Sequence, residues 1–117
     1  MSDRTKPAVD RDFLRNMIDN DFEFEKELLK IFLENSNRNL AKIETALRDG
    51  DKTSWYMGSH AFKGAAAAIG AFPLAELLEH AQKNPEEPNE EKVALLVKIK
   101  EELGCVYNFI NEEILEK

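Results

Sequence analysis

Apolar and polar positions along this 117-residue chain recur at the spacing of helices. In a helix turning about 100° per residue, Trp55, Phe62, Ala66 and Ile69 gather on one side. Leu74, Leu77, Leu78 and Ala81 give the next segment an i, i+3, i+4, i+7 stripe. Upstream, Leu28, Phe32, Ser36, Leu40, Ile43 and Leu47 predict a long helix over residues 22–48, interrupted only at the polar Asn35-Ser36 step. Val93, Leu96, Ile99, Leu103, Val106, Ile110 and Ile114 predict a last helix over residues 90–115, in which Gly104 costs about 1 kcal/mol against alanine. Phe13, Leu14, Met17 and Ile18 mark a short helix over residues 11–19, with Asp10 as its cap.

The punctuation between these runs agrees with them. Asn20-Asp21 breaks the first helix, and Gly50, in a D-G-D turn, suits a left-handed C-cap for the second. The cluster at residues 51–54 precedes the third helix, Gly70 ends it, and Pro73 fits the first turn of the fourth. Two prolines between Asn84 and Asn89 cannot continue a helix, so that stretch is a loop. No segment alternates with period two. The expected fold is therefore all-α: an antiparallel up-down-up-down four-helix bundle with a short additional N-terminal helix. Residues 1–9 read as a polar leader and residues 10–117 as one bundle domain.

Composition narrows the function. A net charge of -7 disfavours nucleic acid and anionic membranes as partners. The single Cys105 excludes an intrachain disulfide and fits a reducing cytoplasm. Residues 1–12 contain no apolar signal core, and the longest apolar-and-glycine run, residues 64–74, is too short to span a bilayer, so a soluble monomer is expected. Two histidines and one cysteine are too few for a structural zinc site, and no metal or cofactor of its own is expected.

The candidate chemistry lies on the third helix. His60 sits roughly 200° from Phe62, so its ring points away from the core. Lys63 and Gly64, at i+3 and i+4, share its face, with Tyr56 one turn before and Ala67 two turns after. The bland alternative is a solvated surface histidine, and His80, on the polar side of the fourth helix, is read that way. Gly64 lies about 40° from His60 and far from the Phe62 face, so it clears space outside the bundle. Gly70 is explained by ending a helix.

Together His60, Phe62, Lys63, Gly64, Ala65, Ala66, Gly70, Ala71, Leu74, Leu78 and Glu79 resemble the histidine-containing phosphotransfer (HPt) domain of multistep two-component signalling. Many relatives carry a serine where this chain has Ala65. The resemblance implies the same bundle and a phosphorelay intermediate. In it His60 accepts a phosphoryl group from a receiver-domain aspartate and passes it to another receiver, with Lys63 balancing phosphoryl charge. It also suggests that a polar residue of the fourth helix, Gln82 ahead of Glu79, hydrogen-bonds His60 Nδ1 and leaves Nε2 free. Tyr56, Met57, Ala61, Ala67 and Ala68 would serve access and docking. The expected partners are response-regulator receiver domains and a hybrid sensor histidine kinase, with magnesium held by the receiver. The chain has no glycine-rich nucleotide loop, so it is not a kinase by itself. The alternatives are the phosphorylated N-terminal domain of a chemotaxis-type kinase and a non-catalytic helical adaptor binding through Tyr56, Met57, Ala61 and Ala68.

Overall fold

The computed structural model describes residues 7–112. They form five helices: α1 (Arg11–Met17), α2 (Phe22–Asp49), α3 (Lys52–Ala68), α4 (Phe72–Lys83) and α5 (Asn89–Ile110). The short connections turn successive helices antiparallel, and α2 packs on α3, α3 on α4, α4 on α5 and α5 back on α2, which closes a four-helix bundle. At about 1.5 Å per residue, the 28 residues of α2 account for the 42 Å long axis.

Caps follow from the sequence. Asp10, Asp21 and Asp51 accept hydrogen bonds from the amides of Phe13, Phe24 and Ser54 at 3.0–3.1 Å. Asp51 accepts a second bond from Ser54 Oγ, and the two together hold its carboxyl below the ordinary range. The third helix therefore starts at Lys52, inside the cluster expected to precede it. Gly50 ends α2 at φ 68°, and its amide reaches the carbonyls of Ala46 and Leu47.

The core is built from the faces of α3 and α4 that their periodicity predicts. Trp55, Phe62, Ala66 and Ile69 are buried, as are Leu74, Leu78 and Ala81, while Leu77 is half-buried and Ala75 joins the stripe. In α2 the buried line runs through Glu25, Leu29, Phe32, Ser36, Ile43 and Ala46; Leu28, Leu40 and Leu47 flank it, half-buried. Ser36 is no interruption, because its Oγ lies 2.9 Å from Tyr107 Oη, which also donates to Asn37 Oδ1. In α5 the expected Val93 is 51% exposed, and Lys92 and Leu95 are buried instead. Lys92 can be buried because its ammonium donates to the Pro85 carbonyl at 2.7 Å and sits 4.9 Å from the Trp55 ring centroid. Ile114 and the expected end of that helix lie outside the described residues.

The segment before α1 is a further correction. Ala8 and Val9, assigned to a polar leader, are buried in the core. Two long-range links hold α1 against the bundle. Glu25, 1% exposed, meets Arg11 at 3.2 Å and Arg15 at 3.7 Å. At the α3–α4 turn, the Asp10 amide donates to the Gly70 carbonyl at 2.8 Å.

Gly70 thus does more than end a helix. It holds φ 78°, and a Cβ there would lie 2.8 Å from the Asp10 carbonyl oxygen and 3.2 Å from Phe13. A side chain in the left-handed region costs about 1–2 kcal/mol before any clash. Gly70→Ala should therefore lower stability in urea by at least about 1 kcal/mol. An unchanged unfolding midpoint would show that this contact is dispensable.

Candidate functional site

Helix α3 delivers the site by its rotation. Its inner face, Trp55–Ser59–Phe62–Ala66, is buried, and Trp55 is pinned by a hydrogen bond from its Nε1 to the Ala81 carbonyl of α4 at 2.9 Å. With that face inward, His60 is exposed on the opposite side. The Tyr56 ring lies parallel to the imidazole, interplanar angle 2° and centroids 6.3 Å apart. This stacked i, i+4 arrangement restricts the imidazole on one flank.

Space above the histidine is open. A Cβ placed on Gly64 would meet no atom within 4 Å. Ala61 and Ala68 are exposed and Ala67 half-exposed, so the surface around His60 stays low. Gly58, one turn before Phe62, behaves oppositely: its Cβ would fall 3.2 Å from Ile43 Cγ1, so this glycine is where α2 and α3 cross closely.

On the α4 side, Lys63 Nζ lies 3.8 Å from Glu79 Oε1, and Lys83 approaches the same oxygen at 3.8 Å. Glu79 therefore serves as a bond to the preceding helix and does not contact the imidazole. The expected hydrogen bond between His60 and Gln82 is not formed either. Gln82 Oε1 is buried and has no hydrogen-bond partner among the described residues. His80 is exposed, with Nε2 3.2 Å from Glu87. Among the described residues, no group of three His, Cys, Asp or Glu could hold a metal ion. None of the helices there is long and apolar enough to cross a membrane.

On the α2 side, a groove of about 640 Å³ runs between α2 and α3, lined by Arg38, Lys42, Met57, Gly58 and Ala61 among others. Met57 is 62% exposed and Tyr56 45%. Sequence reasoning missed the α2 contribution. Ile31, 44% exposed, stands in helical line with Arg38 and Lys42, so one flank of α2 carries an apolar group followed by two cations. The signal was an isoleucine off the buried stripe. Ser59, buried beside His60, was missed for the same reason: one position names no partner.

Because Gly64 touches nothing, substitution there should relieve an exposed mid-helix glycine. Gly64→Gln is expected to melt at an unchanged or higher temperature, with a gain of up to about 0.5–1 kcal/mol. A lowered melting temperature would mean that the glycine is needed for packing.

Comparison with known proteins bears on what this face does. A family model described as the Hpt domain matches residues 27–105. No curated protein sequence matches the chain significantly. The crystal structure of histidine-containing phosphotransfer protein B from Pseudomonas aeruginosa PAO1 is similar in fold, with a TM-score of 0.85 at 23% sequence identity, covering 97% of this chain and 99% of that one. The matched family segment spans most of α2, all of α3 and α4 and most of α5, and it contains the exposed His60 with Lys63 and Gly64. The chain belongs to the Hpt domain family, the histidine phosphotransfer modules of two-component signalling.

Proposed function

We propose that the protein is a phosphorelay intermediate of the cytoplasm. His60 takes a phosphoryl group from the aspartyl phosphate of one response-regulator receiver domain, or of a hybrid sensor histidine kinase, and passes it to the aspartate of another. In the first step the Nε2 lone pair forms a bond to phosphorus while the bond from phosphorus to the aspartyl oxygen breaks. The electron pair leaves on the carboxylate. The second step reverses these roles on a new aspartate. Phosphoryl transfer depends on positioning and charge stabilisation, so a rigid helix with an accessible imidazole is sufficient scaffolding on this side. Magnesium belongs to the receiver in this scheme.

The observation that carries the reading is the single face on which an exposed His60, an open Gly64 and the Lys63 cation meet. Lys63 rests on Glu79 at 3.8 Å, in a pair open to solvent. Such pairs are worth about 0–1 kcal/mol, so moving the ammonium to a phosphoryl group carrying about two negative charges is cheap. Glu79 keeps Lys83 when Lys63 leaves. The groove beside His60, lined by Met57 and Ala61 and by charges of both signs, Arg38, Lys42, Asp49 and Asp51, supports docking of a partner on the α2 side.

The test is labelling from a phosphorylated receiver. The wild-type chain should take an acid-labile label, and His60→Gln should take none while keeping its helical signal and a stability within about 0.5 kcal/mol, as for other exposed substitutions. Gly64→Gln should be labelled far more slowly, because its side chain fills the approach and transfer needs reacting atoms about 3–3.5 Å apart. Stable binding of the receiver with no label on the wild-type chain would instead mark a non-catalytic adaptor. Retained labelling of His60→Gln would move the site elsewhere.

A further inference from the structure

Two buried polar atoms find no hydrogen-bond partner among the described residues, Ser59 Oγ on α3 and Gln82 Oε1 on α4. Ser59 is 0% exposed and immediately precedes His60. Folded proteins retain few such atoms, and each one calls for an account. The register of the two helices puts these two residues at the same level. Trp55, one turn before Ser59, is bonded to the carbonyl of Ala81; Lys63, one turn after it, is bonded to Glu79. Ser59 lies between these links on the side of α3 that faces α4. Gln82 follows Ala81 and stands one turn beyond Glu79, so it is the residue of α4 opposite Ser59.

The two groups are chemically complementary. A serine hydroxyl donates one hydrogen, and an amide oxygen only accepts. The hydroxyl turns about its own C–O bond and the carboxamide about its terminal torsion, which is broad and soft. We infer that Ser59 is a positioning residue for phosphotransfer: the two atoms are unbonded in the unphosphorylated protein, and when His60 carries a phosphoryl group the Ser59 hydroxyl donates to Gln82 Oε1, anchors the amide oxygen, and so turns the Gln82 amide hydrogens outward, toward that group.

The direction of the amide decides what Gln82 can do. With oxygen inward, the outward group is a donor, and a donor cannot accept the Nδ1 hydrogen of the free imidazole. It can bond phosphoryl oxygens, which are strong acceptors of charge-assisted hydrogen bonds. Gln82 therefore acts on the phosphorylated state and leaves the tautomer of the unphosphorylated ring alone. The inference rests on His60 being the phosphoacceptor.

Ser59→Ala, Gln82→Leu and the double variant, each in the full chain, test it against a phosphorylated receiver domain as donor. Three quantities are read: the equilibrium partition of label between receiver and chain, the thermal melt, and the 15N shifts of the unphosphorylated His60 ring. Each single variant should shift the partition away from His60 by about tenfold, the worth of one hydrogen bond to a charged group. The double variant should shift it no further than Gln82→Leu alone, because one residue acts through the other. Ser59→Ala should melt no lower than wild type, and the ring shifts should not move. An unchanged partition in Ser59→Ala, losses that multiply in the double variant, or a change of tautomer in Gln82→Leu would each overturn the inference. A wild-type chain that accepts no label would overturn the reading of His60 as well, and that arm is separate from the variants.

Discussion

The rotation of α3 about its own axis is the constraint from which the site follows. Trp55 and Phe62 are 1% and 0% exposed, wedged between neighbouring helices. Aromatic side chains of this size bury about 150–250 Å², and at about 25 cal/mol per Å² the two contribute on the order of 10 kcal/mol as an upper estimate. That is comparable with the whole net stability of a domain, about 5–15 kcal/mol. A turn of α3 large enough to draw His60 inward would forfeit most of it. The imidazole is therefore presented outward by packing on the far side of the helix, and needs no polar contact of its own to stay there.

Around that helix the two flanks differ in kind. The α4 flank is polar and organised: Glu79 holds Lys63 and Lys83, and Gln82 buries its Oε1. The α2 flank is an open groove whose floor comes close to the backbone at Gly58 and whose margin carries Arg38 and Lys42. Charge-handling groups thus sit on one side of His60 and room for a partner on the other. Such a division suits a nucleophile that must meet a second protein, because chemistry and docking do not compete for the same surface. The groove carries both signs of charge, Arg38 and Lys42 beside Asp49 and Asp51.

Much of this was legible in the sequence where burial follows side-chain type. The faces of α3 and α4 are occupied by Trp55, Phe62, Leu74 and Leu78, and periodicity finds them. It fails where a charged group is buried by a partner distant in the chain. Glu25 enters the core because Arg11 and Arg15 meet it, and Lys92 because Trp55 and the Pro85 carbonyl receive it. A scan of apolar positions finds Phe32, Ser36 and Ile43 on α2 and Leu96, Ile99, Leu103, Val106 and Ile110 on α5, but at the first turns it names Leu28 and Val93 where Glu25, Leu29 and Lys92 are buried. Gly70 is recognisable as a helix end, but its contact with Asp10 belongs to the tertiary fold. At the site, His60, Lys63 and Gly64 were readable because they share one turn of one helix. The hydrogen bond expected from Gln82 was not there, because side-chain direction across a seam depends on both helices.

The central claim is that the outward ring nitrogen of His60 carries the phosphoryl group. It is tested most directly by NMR of the 15N-labelled chain after reaction with a phosphorylated receiver domain. The account predicts one phosphorus–nitrogen coupling, to Nε2 of His60, with the resonances of Trp55 and the other core groups unmoved. Coupling to Nδ1 of His60, or to the ring of His80, would contradict it.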